Sequence, residues 1–162
     1  MTEKEYVTGV DAWGDKALRF ALRVSGNKDL SQDMVQEAFV DLWRQHKRVD
    51  YAKGKNYLFS AVYHHLIDYF RHRKVERQSE DELLWLAQQT EHPRQDFDMK
   101  ETIDKCMLRL PEVQRALLQL RDVEGLSYEM LSKTLEISEK QVQVYLSRAR
   151  SAMKTMLMKL GY

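Results

Sequence analysis

Apolar residues recur along this chain with a helical period, and no stretch alternates as a half-buried strand would. The clearest run is 31–46, where Val35, Ala38, Phe39, Leu42 and Trp43 fall at i, i+3, i+4, i+7 and i+8 and form one stripe. A preceding helix over about 10–25 offers Val10, Trp13, Ala17, Leu18, Ala21 and Val24 as its partner face, and a third over about 57–74 offers Leu58, Val62, Leu66, Tyr69 and Phe70. Three helices of this length can enclose a small core.

The stretch 79–98, SEDELLWLAQQTEHPRQDFD, breaks the pattern. Ser79 with Glu82 makes a capping box for a short helix and Pro93 interrupts it, so the stretch reads as an interdomain linker. Its run Leu83, Leu84, Trp85, Leu86 is apolar enough to pack on a domain or a partner. Periodicity restarts at Met99, Ile103, Cys106, Met107 and Leu110. Pro111 suits the first turn of a new helix, whose apolar face is Val113, Ala116, Leu117 and Leu120. Gly125 marks its end, and Ser127 can cap a short helix over about 128–135. After the turn Glu136-Ile137-Ser138, Ser138 and Gln141 form a second capping box that opens a long helix to about residue 159. The fold class predicted is all-α: two small helical domains, 1–78 and 99–162, joined by the linker 79–98, the second a helix-turn-helix domain.

Composition is that of a soluble globular protein, with 43% hydrophobic and 31% charged residues among 162. The lone Cys106 cannot make an internal disulfide, and no cysteine and histidine cluster has zinc-ligand spacing. The start MTEKEYVTGVDAWGDK has no apolar signal-peptide region, and apolar runs of about 18 residues are absent. A cytoplasmic protein with no membrane contact of its own is expected. The net charge of +1 hides a pattern. Residues 1–78 carry 14 Lys+Arg against 11 Asp+Glu, residues 79–105 carry 3 against 8, and residues 106–162 carry 9 against 6. Two basic ends thus flank an acidic middle.

A short helix, a three-residue turn and a longer helix can place the second helix in the DNA major groove. Val142, Tyr145, Leu146, Ala149, Met153 and Met156 form that helix's inward stripe, leaving Lys140, Gln143, Val144, Ser147, Arg148 and Ser151 on the other side. Gln and Arg can read base edges bidentately, whereas Lys and Ser more often hold phosphate. Residues 46–77 hold eight Lys+Arg against three acids, interleaved with Tyr51, Tyr57, Tyr63, His64, His65 and Tyr69. Basic charge tracks a backbone and aromatic planes stack on bases, a combination suited to melted nucleic acid. On helix 31–46, Asp33, Gln36, Glu37 and Val40 lie opposite the apolar stripe, a mixed ridge that suits a protein partner better than DNA.

The stretches DMVQEAFVDLW (33–43), YLFSAVYHHLIDYFRHRK (57–74) and LPEVQRALLQLRDVEGLSYEMLSKTLEISEKQVQVYLSRARSAMK (110–154) resemble extracytoplasmic-function (ECF) RNA polymerase sigma factors, in order and spacing along nearly the whole chain. The resemblance implies a subunit that binds core RNA polymerase and promoter DNA and directs initiation. It implies that helix 31–46 meets the clamp helices of the largest polymerase subunit through Asp33, Gln36, Glu37 and Val40. Loop 47–56 and helix 57–74 would capture the melted minus-ten element, with Lys53, Lys55, Asn56, Tyr63, His64, Arg71 and Arg73 as contacts. The helix-turn-helix would read the minus-thirty-five element through Lys140, Gln141, Gln143, Val144, Ser147 and Arg148 and touch the polymerase flap. An anti-sigma factor is a further implied partner. No enzyme activity, cofactor or metal is implied.

Two departures from the family pattern matter. His64 stands where an Asn is usual, beside the flipped-base pocket, and Glu136 stands where the turn usually has Gly. A left-handed Glu136 would cost roughly 1 kcal/mol. Ser132 replaces a usual Ala, a small-for-small change that should still let the helices pack closely.

A metal site on His64, Asp68 and His72 has i, i+4, i+8 spacing but no HExxH pattern, and its surroundings are basic. Asp68 is expected to pair with Arg71 or His72, and a buried His65 to be structural. The alternative functional reading is a helix-turn-helix regulator that binds duplex without polymerase; near-neutral net charge argues against it, because free DNA affinity depends on phosphate neutralisation.

Overall fold

The computed structural model describes residues 1–77 and 99–162. The linker 79–98, with its Ser79–Glu82 capping box and its apolar run, lies outside the described residues. Helix α1 (Glu3–Ser25) starts at Thr2, whose hydroxyl accepts from the Glu5 N–H while the Glu5 carboxylate accepts from the Thr2 N–H. It ends at Gly26, left-handed at φ 67°. Helix α2 (Lys28–Gln45) is capped by the Asn27 side chain, which accepts from the Leu30 N–H. A 3-10 turn (His46–Arg48) leads into α3 (Tyr51–Arg77). These three helices pack pairwise around Phe20, Leu42, Leu58, Phe59 and Leu66, with Phe20 set edge-on to Phe59 at 5.5 Å.

Several expectations need correction here. The first helix begins at Glu3 rather than near residue 10, because the Thr2 capping box supplies an earlier start. Its buried stripe is Gly9, Trp13, Ala17, Phe20, Ala21 and Val24, which leaves Val10 38% exposed at the flank. Trp43, at the end of the α2 stripe, is 42% exposed; it stacks on His46 and meets the edge of Tyr6 instead of entering the core. Residues 51–56 are the first turns of α3, not part of a loop, because Tyr51 and Gly54 seat against Trp13 of α1.

The C-terminal helices are α4 (Met99–Met107), α5 (Glu112–Leu118), which runs into a π-turn (Gln119–Val123), α6 (Tyr128–Leu135) and α7 (Glu139–Lys159). Pro111 is the extended residue just before α5, not a member of its first turn. Gly125 is left-handed at φ 72°. Ser127 caps α6 by accepting from the Met130 N–H, and Ser138 with Gln141 closes the reciprocal capping box of α7. The described residues form helices and connecting turns with no strand among them, so the fold is all-α with a C-terminal helix-turn-helix. None of these helices is long and apolar enough to cross a membrane.

The two sets of helices lie against each other. Buried apolar side chains from Trp13 to Ala149 form one continuous cluster, with α1 meeting α4 and α5 and α3 meeting α6. The left-handed Gly26 faces Leu108, and a Cβ there would come within 2.7 Å of that side chain.

Candidate nucleic-acid interface

Asp33, Gln36, Glu37 and Val40 all stand exposed on α2, opposite the buried Met34, Val35, Ala38 and Leu42. Glu37 is not a loose carboxylate. His65 of α3 reaches across with Nε2 2.6 Å from Asp41 Oδ2 and Nδ1 3.4 Å from Glu37 Oε2. Lying against both carboxylates, the His65 ring clasps α2 to α3 at the edge of the mixed ridge. His65 is thus partly exposed rather than buried, and its role in joining α2 to α3 is structural. Asp68 is exposed, and no ion pair joins it to Arg71 or His72 among the described residues.

Along α3 the minus-ten candidates divide. Lys53, Arg71 and Arg73 are exposed, with the Arg73 guanidinium 4.9 Å above the Tyr69 ring, and Asn56 is half-buried. Lys55, Tyr63 and His64 instead face the C-terminal helices. Lys55 Nζ lies 3.2 Å from the carboxylate of Glu124, just past the π-turn, whose side chain is only 8% exposed. Tyr63 is buried, which pushes its phenol up to about 12; Arg71 opposes that shift, and Glu112 and Tyr145 add to it. His64 donates from Nδ1 to the Ser60 carbonyl at 2.7 Å and presents Nε2 to Glu136 Oε2 at 3.4 Å. Next to it, the Ser60 hydroxyl donates to the Thr134 carbonyl at 3.1 Å.

The helix-turn-helix presents a different surface. Val142, Leu146 and Ala149 are buried and Tyr145, Met153 and Met156 partly so, while Lys140, Gln141, Gln143, Val144, Ser147 and Arg148 are all exposed. The Gln141 side-chain carbonyl is committed to the cap, accepting from the Ser138 N–H at 3.0 Å and the Ser138 hydroxyl at 3.3 Å. Arg150 braces the middle of α7 through Asp122 at 2.9 Å. In the turn, Glu136 is left-handed at φ 56°, ψ 45°. Its N–H and that of Ile137 donate to the Ser132 carbonyl, and the Ser132 hydroxyl donates back to the Ile137 carbonyl. Ser132 is therefore more than a small residue: its hydroxyl ties the turn shut. Sequence reasoning missed that bond, as it did the His65 clasp and Glu124.

Comparison with known proteins matches Sigma-70 region 2 to residues 10–76 and Sigma-70, region 4 to residues 100–153. The ECF RNA polymerase sigma factor SigM of Bacillus subtilis (strain 168) is 31% identical over 140 residues, which cover 85% of this chain and 86% of SigM. The chain belongs to the ECF RNA polymerase sigma factors. The ECF sigma factor SigE of Mycolicibacterium smegmatis is 28% identical over 151 residues, 90% of this chain and 58% of SigE. Among solved structures, the sigma factor RpoE in its complex with the anti-sigma factor NepR from Bartonella quintana superposes with a TM-score of 0.76 at 21% identity, covering 96% of this chain and 98% of RpoE. As a sigma factor, the protein acts in transcription initiation.

Proposed function

We propose that this chain joins core RNA polymerase through the exposed α2 ridge, opens the minus-ten element with the face of α3, and reads the minus-thirty-five element with the outer face of α7. Residues 1–78 form the polymerase-binding and melting domain, 79–98 the tether, and 99–162 the upstream-reading domain. No bond is made or broken by the chain itself, and it works in the cytoplasm. Asp33, Gln36, Glu37 and Val40 contact the polymerase. Lys53, Lys55, Asn56, Tyr63, His64, Arg71 and Arg73 receive the melted strand, and Lys140, Gln141, Gln143, Val144, Ser147 and Arg148 meet the upstream duplex. Two modest sites on one tether raise each other's effective concentration, so neither needs to bind tightly alone. An anti-sigma factor is the further partner, as RpoE of Bartonella quintana has in NepR.

One observation carries this reading above the rest. An acidic-amide-apolar ridge on α2 and a basic-polar face on α7, both exposed, sit on the same chain, which supports reading the first as a protein surface and the second as a DNA surface. The test is co-elution with purified bacterial core polymerase followed by run-off transcription. A complex that initiates at a promoter supports the reading. A chain that fails to co-elute yet binds specific duplex alone is a regulator, and the α2 ridge then needs another partner.

A further inference from the structure

Where α1 reaches the C-terminal helices along the seam between the two sets, a cavity of about 590 Å³ lies among α4, the π-turn and the last turns of α7. That is the size of a small-molecule site. Ile103, Met107, Leu118, Met153 and Leu157 give it an apolar lining. Gln119 lines it too, yet is only 5% exposed, and its side-chain oxygen accepts no hydrogen bond among the described residues. A buried acceptor without a donor is costly, and a donor carried in by a bound molecule would relieve that cost. The backbone here is also irregular. The Glu124 N–H donates to the Gln119 carbonyl, a five-residue step that widens the helix at the cavity wall, and such π-turns are frequent at functional sites. Three of the five π-turn residues, Gln119, Asp122 and Val123, line the cavity.

Charge narrows what could enter. Arg23, Arg150 and Lys154 also border the cavity. Arg23 is paired with Asp104 at 3.0 Å and Arg150 with Asp122 at 2.9 Å, whereas Lys154 is exposed and has no ion pair among the described residues. One positive charge is left over, which suits a single anionic group. Met107, Met153 and Met158 add flexible thioethers, which adapt to a guest and make favourable contacts with aromatic rings. We propose that this cavity binds an aromatic monoanion that carries an N–H or O–H donor. The ring packs among the methionines, the donor meets the Gln119 oxygen, and the anion meets Lys154. None of the lining residues is assigned above to polymerase or to DNA, so the ligand occupies the cavity without covering either surface.

Two probes separate the parts of this site: indoleacetate, which has the ring, the N–H and the carboxylate, and naphthaleneacetate, which lacks only the N–H. Each is titrated into the full chain by isothermal calorimetry. Indoleacetate should bind about tenfold more tightly than naphthaleneacetate. Gln119→Leu, which keeps the bulk of the side chain and removes the acceptor, should erase that preference while thermal unfolding shows the fold intact. Lys154→Gln, a change at an exposed position, should weaken both compounds about threefold, and added salt should weaken both in the wild type. Met153→Trp fills the cavity and should abolish binding. Equal affinity of the wild type for the two compounds, or a preference that survives Gln119→Leu, overturns the proposal. So does the lack of saturable binding below about 1 mM, or binding that Met153→Trp leaves unchanged.

Discussion

The indole of Trp13 stacks on the ring of Tyr51, centroids 5.1 Å apart, in a slot where Gly54 lets α3 approach α1. A Cβ on Gly54 would lie 2.6 Å from the Trp13 ring and 2.9 Å from Met1 Cε. Gly54→Ala should gain about 1 kcal/mol of helix propensity but lose about 1–3 kcal/mol to overpacking, because the stacked indole cannot swing away. Net destabilisation is expected in a urea titration. Gly14→Ala, where a Cβ meets nothing within 4 Å, should instead stabilise α1 by about 0.5–1 kcal/mol. Equal effects at the two sites would show that the slot is looser than described.

Removing the His65 clasp should both loosen the N-terminal helices and free Glu37. His65→Ala leaves Asp41 and Glu37 without the ring that contacts both. After discounting for partial exposure, a loss of about 1 kcal/mol is expected. Polymerase affinity should fall with it, since Glu37 belongs to the proposed contact ridge. Chemical denaturation and a polymerase-binding titration check the two effects separately.

Arg115 is a buried cation whose Nη1 donates to the Leu108 carbonyl at 2.8 Å, pinning the turn that also faces Gly26. Burial lowers its pKa, and Glu112 partly offsets this. Arg115→Ala removes a buried, charged donor from the Leu108 carbonyl and should cost about 2–3 kcal/mol. A shifted denaturation midpoint with an unchanged slope is the expected signature; no shift would mean that water replaces the guanidinium.

The buried Tyr63 gives the alkaline limb of stability a definite sign. Its folded-state value, about 12, lies above the ordinary phenol near 10. The folded form therefore keeps a proton that the unfolded form has released. This stabilisation is complete below about 10 and is lost as the pH climbs towards 12. Tyr63→Phe should flatten that part of the unfolding profile, and the wild type should show one phenol that ionises late by absorbance. An identical alkaline slope in the variant would count against the burial of Tyr63.

On α7, Arg148→Ala should weaken upstream-promoter binding by about 1–3 kcal/mol and relax preference at one base pair, the behaviour of a base-contacting Arg. A uniform loss across sequences, with a shallower salt dependence, would instead make Arg148 a phosphate contact.

Helical periodicity alone was enough for the all-α class, the α2 stripe and the helix-turn-helix, because burying one face of a helix requires apolar residues every three or four positions. Local capping chemistry likewise placed the starts of α6 and α7, since Ser127 and Ser138 act within three residues of themselves. The family could be read because three motifs kept their order and spacing. Other features depend on what lies across the molecule. Residues 51–56 carry Lys, Gly and Asn like a loop, and became helix only where Tyr51 and Gly54 met Trp13. Trp43 kept the right period but ran past the end of its cover. The pairings His65 with Asp41, Lys55 with Glu124 and His64 with Glu136 join residues 24 to 72 positions apart. Periodicity and capping are local constraints, so they could fix which face of each helix is apolar; which charged groups meet across the seam was decided only when the helices packed.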